Sequence, residues 1–238
     1  LLGKWKPEAV LISRGVVILC VSLGALAFAL LAWRHFSSPR QLTEAPVPTI
    51  NKQPVALTHH TFDPAAPPAD MPPLAPGENA ECDSEFRSSA SVRGEPRQTD
   101  ATHATVTVSQ VHMTLQLNIN IWVPTGVTQH VIEHEEGHRQ ISEYYYQSAD
   151  KLAERIAEKY MGKQVEITGT DLGAESNKIL QQMATDITDE YGRELNPEAT
   201  QLLYDSITDH GRNEVVVTDA VAHALKNTTI ESTHHATR

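Results

Sequence analysis

At 238 residues the chain suits one folded domain of ordinary size with further segments attached. A formal net charge of −11 argues against non-specific nucleic-acid binding, which needs a basic face, and against a polybasic membrane patch. The only cysteines are Cys20, in an apolar run, and Cys82, beyond it. No disulfide framework follows from such a pair, so the folded part must rest on its own core or on a metal.

Val10 to Trp33 is apolar, and from Gly15 onward it carries no charge. That stretch of about 19 residues is enough to cross a hydrocarbon core of roughly 30 Å. It lacks a small-x-small cleavage site at its end, which favours a single-pass anchor over residues 1–35 rather than a cleaved signal segment. The expected location is the bacterial inner membrane with the rest of the chain in the periplasm, or secretion to the periplasm if the segment is removed. Residues 36–80 hold Pro39, Pro46, Pro48, Pro54, Pro64, Pro67, Pro68, Pro72, Pro73 and Pro76. This composition reads as a linker, with His59 and His60 solvated inside it.

The folded domain is expected over residues 81–218, with a tail over 219–238. Phe86 to Arg93 suits a short strand. From Thr102 to Val123 apolar residues alternate at Val106 and Val108 and, after a break, at Val111, Met113, Leu115, Leu117, Ile119 and Ile121. Period two indicates a half-buried strand, and the length and the break predict two strands or one bent by a bulge. Beyond the turn at Pro124-Thr125-Gly126, apolar residues recur at three- and four-residue steps from Val131 to Tyr160. They predict one long helix, or two meeting near Ser148. Val165, Ile167 and the following Gly169 suggest a short extended piece or a turn. A further helix is expected over about 176–191, another after Asn196-Pro197, stopped by Gly211, and a brief strand at Val215–Val217. The fold class is α+β: a small antiparallel β region packed on a long zincin-type helix and further helices.

The long helix carries His134, Glu135, Glu136, Gly137 and His138, an H-E-x-x-H arrangement. Histidines at i and i+4 share one helix face and can reach one Zn2+ ion, while the glutamate can take a proton from its bound water. Both histidines line up with Ile141 and Tyr145, so they point inward, where two imidazoles need hydrogen bonds or a metal. Gly137 costs about 1 kcal/mol in a helix interior, which signals a close approach of backbone or substrate.

A catalytic zinc needs a third protein ligand. Ile141 and Tyr144 exclude the metzincin pattern. Glu154, Glu158, Glu175, Glu190, Glu194 and Asp171 are nominal options. The stretch Tyr204–Glu214, YDSITDHGRNE, is more attractive: His210 closes a helix before Gly211, either as a ligand or as a cap on the last carbonyls. Asp205, Thr208 and Asp209 are polar groups near enough to orient a ligand.

HEEGH at His134–His138 together with YDSITDHG at Tyr204–Gly211 resembles a bacterial family of predicted zinc-dependent peptidases, secreted or membrane-anchored and catalogued as a domain of unknown function. The resemblance spans about Cys82 to Val217. It implies that His134, His138 and His210 hold zinc and that Glu135 is the catalytic base. The reaction implied is hydrolysis of a peptide bond in the cell envelope, on a peptide or protein substrate. Tyr204 is then a candidate to steady an oxyanion, or a packing aromatic. Two other readings are a membrane-anchored zinc-binding or interaction domain without turnover, and an amidase acting on cell-wall peptide.

Overall fold

The computed structural model describes residues 47–74 and 77–235, with 229–235 as backbone only. The apolar segment expected to anchor the chain, and Cys20 within it, lie outside these residues. None of the described helices is long and apolar enough to cross a membrane.

The elements in chain order are strands β1 (Thr49–Lys52), β2 (Ala56–Phe62), β3 (Glu81–Gln98) and β4 (His103–Pro124). Helices α1 (Gln129–Gln147) and α2 (Ala149–Glu158) follow, then strand β5 (Gln164–Thr168). Helices α3 (Leu172–Glu194), α4 (Glu198–Thr208) and α5 (Val217–His235) complete the described chain. The fold is α+β, built on a five-stranded mixed sheet.

β4 is its axis. β3 pairs antiparallel along nearly all of β4, from Glu81 opposite Trp122 to Gln98 opposite Ala104. The other edge of β4 takes three short strands end to end: β5 antiparallel, then β1 and β2 parallel. The sheet is therefore not purely antiparallel as expected. β1 and β2 also come from the stretch read as linker, where alternation is too short to be heard among prolines. Gln53 N donates to Leu115 O at 2.9 Å between them, so the run from β1 to β2 stays on the β4 edge.

The break in the β4 pattern is a bulge. Arg93 faces Gln110 and Gly94 faces Val108, leaving Ser109 without an opposite residue. One extra residue shifts the side-chain phase by one, so Val106 and Val108 before it and Val111 through Ile121 after it all face inward. Each of these eight apolar residues is at most 1% exposed, worth roughly 1.5–3 kcal/mol apiece in transfer free energy. They meet Ala153 and Ile156 of α2 and Met183 and Ile187 of α3 in the main core.

The long periodic helix is interrupted at Ser148, which leaves helical geometry (φ −99°, ψ 7°) between α1 and α2. The junction is pinned to β1 and β4: Tyr146 Oη donates to the carbonyls of Gln53 (2.8 Å) and Leu115 (2.9 Å). Lys52 Nζ donates to Gln147 O at 2.7 Å and pairs with Asp150 at 3.2 Å. A second, smaller core forms where Ile141 of α1 meets Tyr204 of α4 and Ala220, Val221 and Ala224 of α5. The expected terminal strand does not form. Val217 opens α5, whose small residues pack on α1 and α4, and Val216 stands exposed.

Candidate metal centre

Helix α1 turns His134 and His138 toward α4, which presents Asp205. The two imidazole Nε2 atoms lie 3.2 Å apart. Asp205 Oδ1 lies 2.9 Å from His138 Nε2 and 3.5 Å from His134 Nε2. A tetrahedral zinc with ligands near 2.0–2.1 Å has ligand–ligand edges of about 3.3 Å, and the three observed distances bracket that edge. Asp205 Oδ1 is buried and makes no well-directed hydrogen bond despite this crowding. Three ligand atoms lie within 3.5 Å of one another, as the donors of one shared cation must, and two imidazoles with a carboxylate are a zinc-type donor set. The fit is therefore good.

The surroundings fix each donor. Gln201, one turn before Asp205 on α4, gives its Nε2 to His138 O (3.1 Å) and to Ser142 Oγ (3.0 Å), so its Oε1 faces His138 Nδ1 at 2.7 Å. An acceptor at Nδ1 makes that nitrogen the protonated one and leaves the Nε2 lone pair for the centre. Ser142 Oγ in turn donates to Ser84 Oγ on β3 at 2.9 Å, tying the helix to the sheet.

Gly137 answers a different need. A Cβ there would fall 2.1 Å from Tyr204 Oη. The fully buried Tyr204 reaches across this gap to donate to His134 O at 3.1 Å, and its ring stacks on His134 with centroids 5.1 Å apart. Gly211 closes the other side, where a Cβ would meet His134 Cγ at 2.9 Å. Asp209, His210 and Gly211 are all left-handed, at φ 50°, 54° and 71°. Two non-glycine residues in that region cost of order 1–3 kcal/mol each, and the turn they make brings Gly211 against His134.

The centre opens on a cleft of about 270 Å³ lined by His134, Glu135, His138, Glu78, Glu81 and Asp205 among others. Burial pushes the Glu135 carboxyl up to about 8; His138 opposes this, while Glu81 and Glu78 add to it. Glu81 is pushed up to about 7, chiefly by burial and by Glu78. Burial also opposes ionisation of Asp205, but the two imidazoles outweigh it and hold this carboxyl well below the usual carboxylate range. For His138, burial disfavours charge and Asp205 outweighs it, raising the imidazole above its ordinary value. His134 is lowered, mainly by burial. The cleft is rich in carboxylates and short of cations.

His134, Glu135, His138, Tyr204 and His210 all come to this region. His210 stands further out, its side chain 42% exposed, with Nδ1 3.4 Å from Glu78 and 4.0 Å from Asp205. Together these three form a second group able to hold a cation. Asp205, read from the sequence as an orienting group, is the residue whose oxygen meets both histidines. Asp171 instead caps α3, accepting from Ala174 N at 3.0 Å. Gln201, Ser142, Glu78 and Glu81 went unread. Gln201 alone left a trace, four residues before Asp205 and so on the same helix face. His59 and His60, expected in solvent, are engaged: His59 pairs with Glu136 at 2.8 Å, and His60 stacks on Trp122. Comparisons with protein-family models, curated proteins and solved structures found no match.

Proposed function

We propose that the chain is a zinc-dependent peptidase of the cell envelope, with His134, His138 and Asp205 as the ligands and Glu135 as the general base. The observation that carries this is the convergence of His134 Nε2, His138 Nε2 and Asp205 Oδ1 beside a buried glutamate in an open cleft. The pairing of HEEGH with YDSITDHG supports it, and the apolar Val10–Trp33 segment supports the envelope location. Zinc bound there would supply a Lewis acid for the scissile carbonyl and a water ligand with its pKa brought toward about 7.

The chain's own residues do the rest. Glu135 is 5% exposed, and burial pushes its carboxyl up to about 8, closer to the working range of a group that takes a proton and returns it than an ordinary carboxylate. Gln201 holds the His138 ring in its metal-binding tautomer. Tyr204 holds the backbone and ring of His134, a positioning role, since its hydroxyl is engaged with a carbonyl. Compared with the set His134, His138 and His210 implied by the family resemblance, this reading moves the third ligand to Asp205.

The test is zinc content of the full-length chain beside His134→Ala, His138→Ala and Asp205→Ala, followed by hydrolysis of protein and cell-wall peptides by Glu135→Gln. About one tightly held zinc per chain, lost in all three, with Glu135→Gln keeping zinc and losing turnover, is the expected result. A folded chain that takes up no zinc would sink the proposal. Zinc without any hydrolysis would leave a metal-binding domain.

A further inference from the structure

Beside the candidate metal centre lies a larger, separate cavity of about 660 Å³, lined mostly by apolar and proline side chains, including Phe62, Met71, Pro72, Pro124 and Val131, with Asn79, Thr125 and Thr128 among them. Two relationships connect it to the centre. Val131 lines this cavity and His134 lines the catalytic cleft, three residues apart on α1, a rise of about 4.5 Å. Asn79 lines this cavity while Glu78 and Ala80 line the cleft, so one short stretch of chain is the wall between them.

The cavity is built, not a gap between loose loops. Its floor is the paired end of β2 and β4, Phe62 against Pro124. Thr125 N and Thr125 Oγ1 both donate to Phe62 O, at 2.8 and 3.1 Å. Its rim is a proline-rich loop folded by turns, with Ala66 N on Asp63 O and Met71 N on Pro68 O. Proline walls lose little entropy when a ligand enters, and a volume of this size takes one or two large side chains.

Resting on the peptidase reading, we propose that this cavity is the specificity pocket: it receives a bulky apolar side chain of a peptide substrate, one or two residues from the bond that is cut. An extended peptide advances about 3.3 Å per residue, so the rise of about 4.5 Å from Val131 to His134 spans between one and two of its residues. Charge agrees with the choice. The neighbouring cleft is lined by Glu78, Glu81, Glu135 and Asp205 and by no Lys or Arg, so an acidic side chain beside the scissile bond finds no cationic side chain to pair with, whereas an apolar one gains burial.

The experiment uses the full-length, zinc-loaded chain in lipid nanodiscs and blocked pentapeptides of Gly and Ala in which one position in turn is Gly, Asp, Leu or Phe. Cleavage is read by mass spectrometry. Binding of the same peptides is read by calorimetry on Glu135→Gln. Leu and Phe peptides are expected to be cut, and bound, at least about tenfold better than Gly or Asp peptides, with the cut at a fixed offset from the apolar residue. Val131→Asp and Met71→Glu each erase that preference while zinc content and helical circular dichroism stay unchanged. Cleavage without side-chain preference, or a preference that survives both variants, overturns the pocket and leaves the peptidase standing. Variant-sensitive binding of Leu and Phe peptides with no cleavage keeps the pocket and removes the peptidase. A preference that emerges only after deletion of residues 1–45 assigns the cavity to the chain's own preceding segment and overturns the proposal.

Discussion

Gly137 and Tyr204 occupy one space: a Cβ on the glycine would sit 2.1 Å from the tyrosine hydroxyl that holds the His134 carbonyl. In an ordinary helix interior, glycine to alanine gains about 1 kcal/mol. Here Gly137→Ala is expected to lose roughly 1–3 kcal/mol by overpacking and to weaken zinc binding by displacing His134. Gly192→Ala in α3, where nothing lies within 4 Å of the new carbon, is the matched control and is expected to raise the melting temperature. Melting curves and zinc titrations on the two variants check this pair. A Gly137→Ala chain as stable as the parent would refute the contact.

In the proposed zinc centre Asp205 and His210 are the two candidates for the third ligand, and their variants separate them. Asp205→Asn keeps the shape but removes the anionic oxygen that faces both imidazoles, and zinc affinity is expected to fall by more than about 100-fold. His210→Ala is expected to cost no more than the roughly 10–100-fold seen when a supporting group is lost. Competition titration with a chelator of known affinity ranks them. The reverse order would move the ligand to His210.

The metal-free chain should grow less stable as pH rises through neutrality. Glu135 has an ordinary value of 4.5 and is pushed up to about 8 in the fold, so the folded chain holds this proton more tightly than the unfolded one. The stability it contributes is full below 4.5 and is lost as pH approaches about 8. Glu81, pushed up to about 7, has the same sign. His138, raised from 6.5, shares this sign, whereas His134, lowered from 6.5 by burial, opposes it and loses its contribution as pH falls below that value. Asp205 also has the opposite sign, and its loss begins as pH falls toward the ordinary value of 3.8. Chelator-treated protein should therefore melt lower at about pH 8 than at about pH 5, and Glu135→Gln should flatten the slope. An unchanged slope in that variant would show that Glu135 is not the group responsible.

The folded unit begins before Cys82. β1 and β2 cover the edge of β4 from His112 to Pro124, so a fragment starting at residue 82 leaves that edge bare and open to pairing with another chain. A fragment of residues 46–238 is expected to be soluble and cooperative, and one of 82–238 to aggregate. Size-exclusion chromatography and thermal melts of both decide it.

Much of this was legible in the residues. The stumble between Val108 and Val111 left two strands or one bulged strand, and the bulge at Ser109 is the second of these. The period of three and four from Val131 left one long helix or two meeting near Ser148, and again the second is found. HEEGH located half the centre because its spacing is a property of one helix. Asp205 was harder, since which α4 side chain reaches the histidines depends on how α4 packs, and that is set by Tyr204 fitting over Gly137. β1, β2 and α5 were missed for a related reason. Thr49–Lys52 has little periodicity of its own and becomes a strand only against β4, and the run Val215–Val217 looks β-like until Ala220 and Ala224 are seen to seat a helix.

The proposed centre also joins two core clusters of unequal size. His134 and His138 ride on α1, which enters the large core through Tyr146 and the small cluster through Ile141, while Asp205 sits on α4, about seventy residues along and packed with the small cluster alone. Cys82 is the sole cysteine among the described residues and is unpaired, so among them no disulfide ties α4 to α1. A cation held across them would close that long loop much as a cross-link does, an effect worth about 4 kcal/mol for a loop of this length. Removing it should expose the α4–α5 end to proteases first, while the sheet and α1 to α3 stay intact.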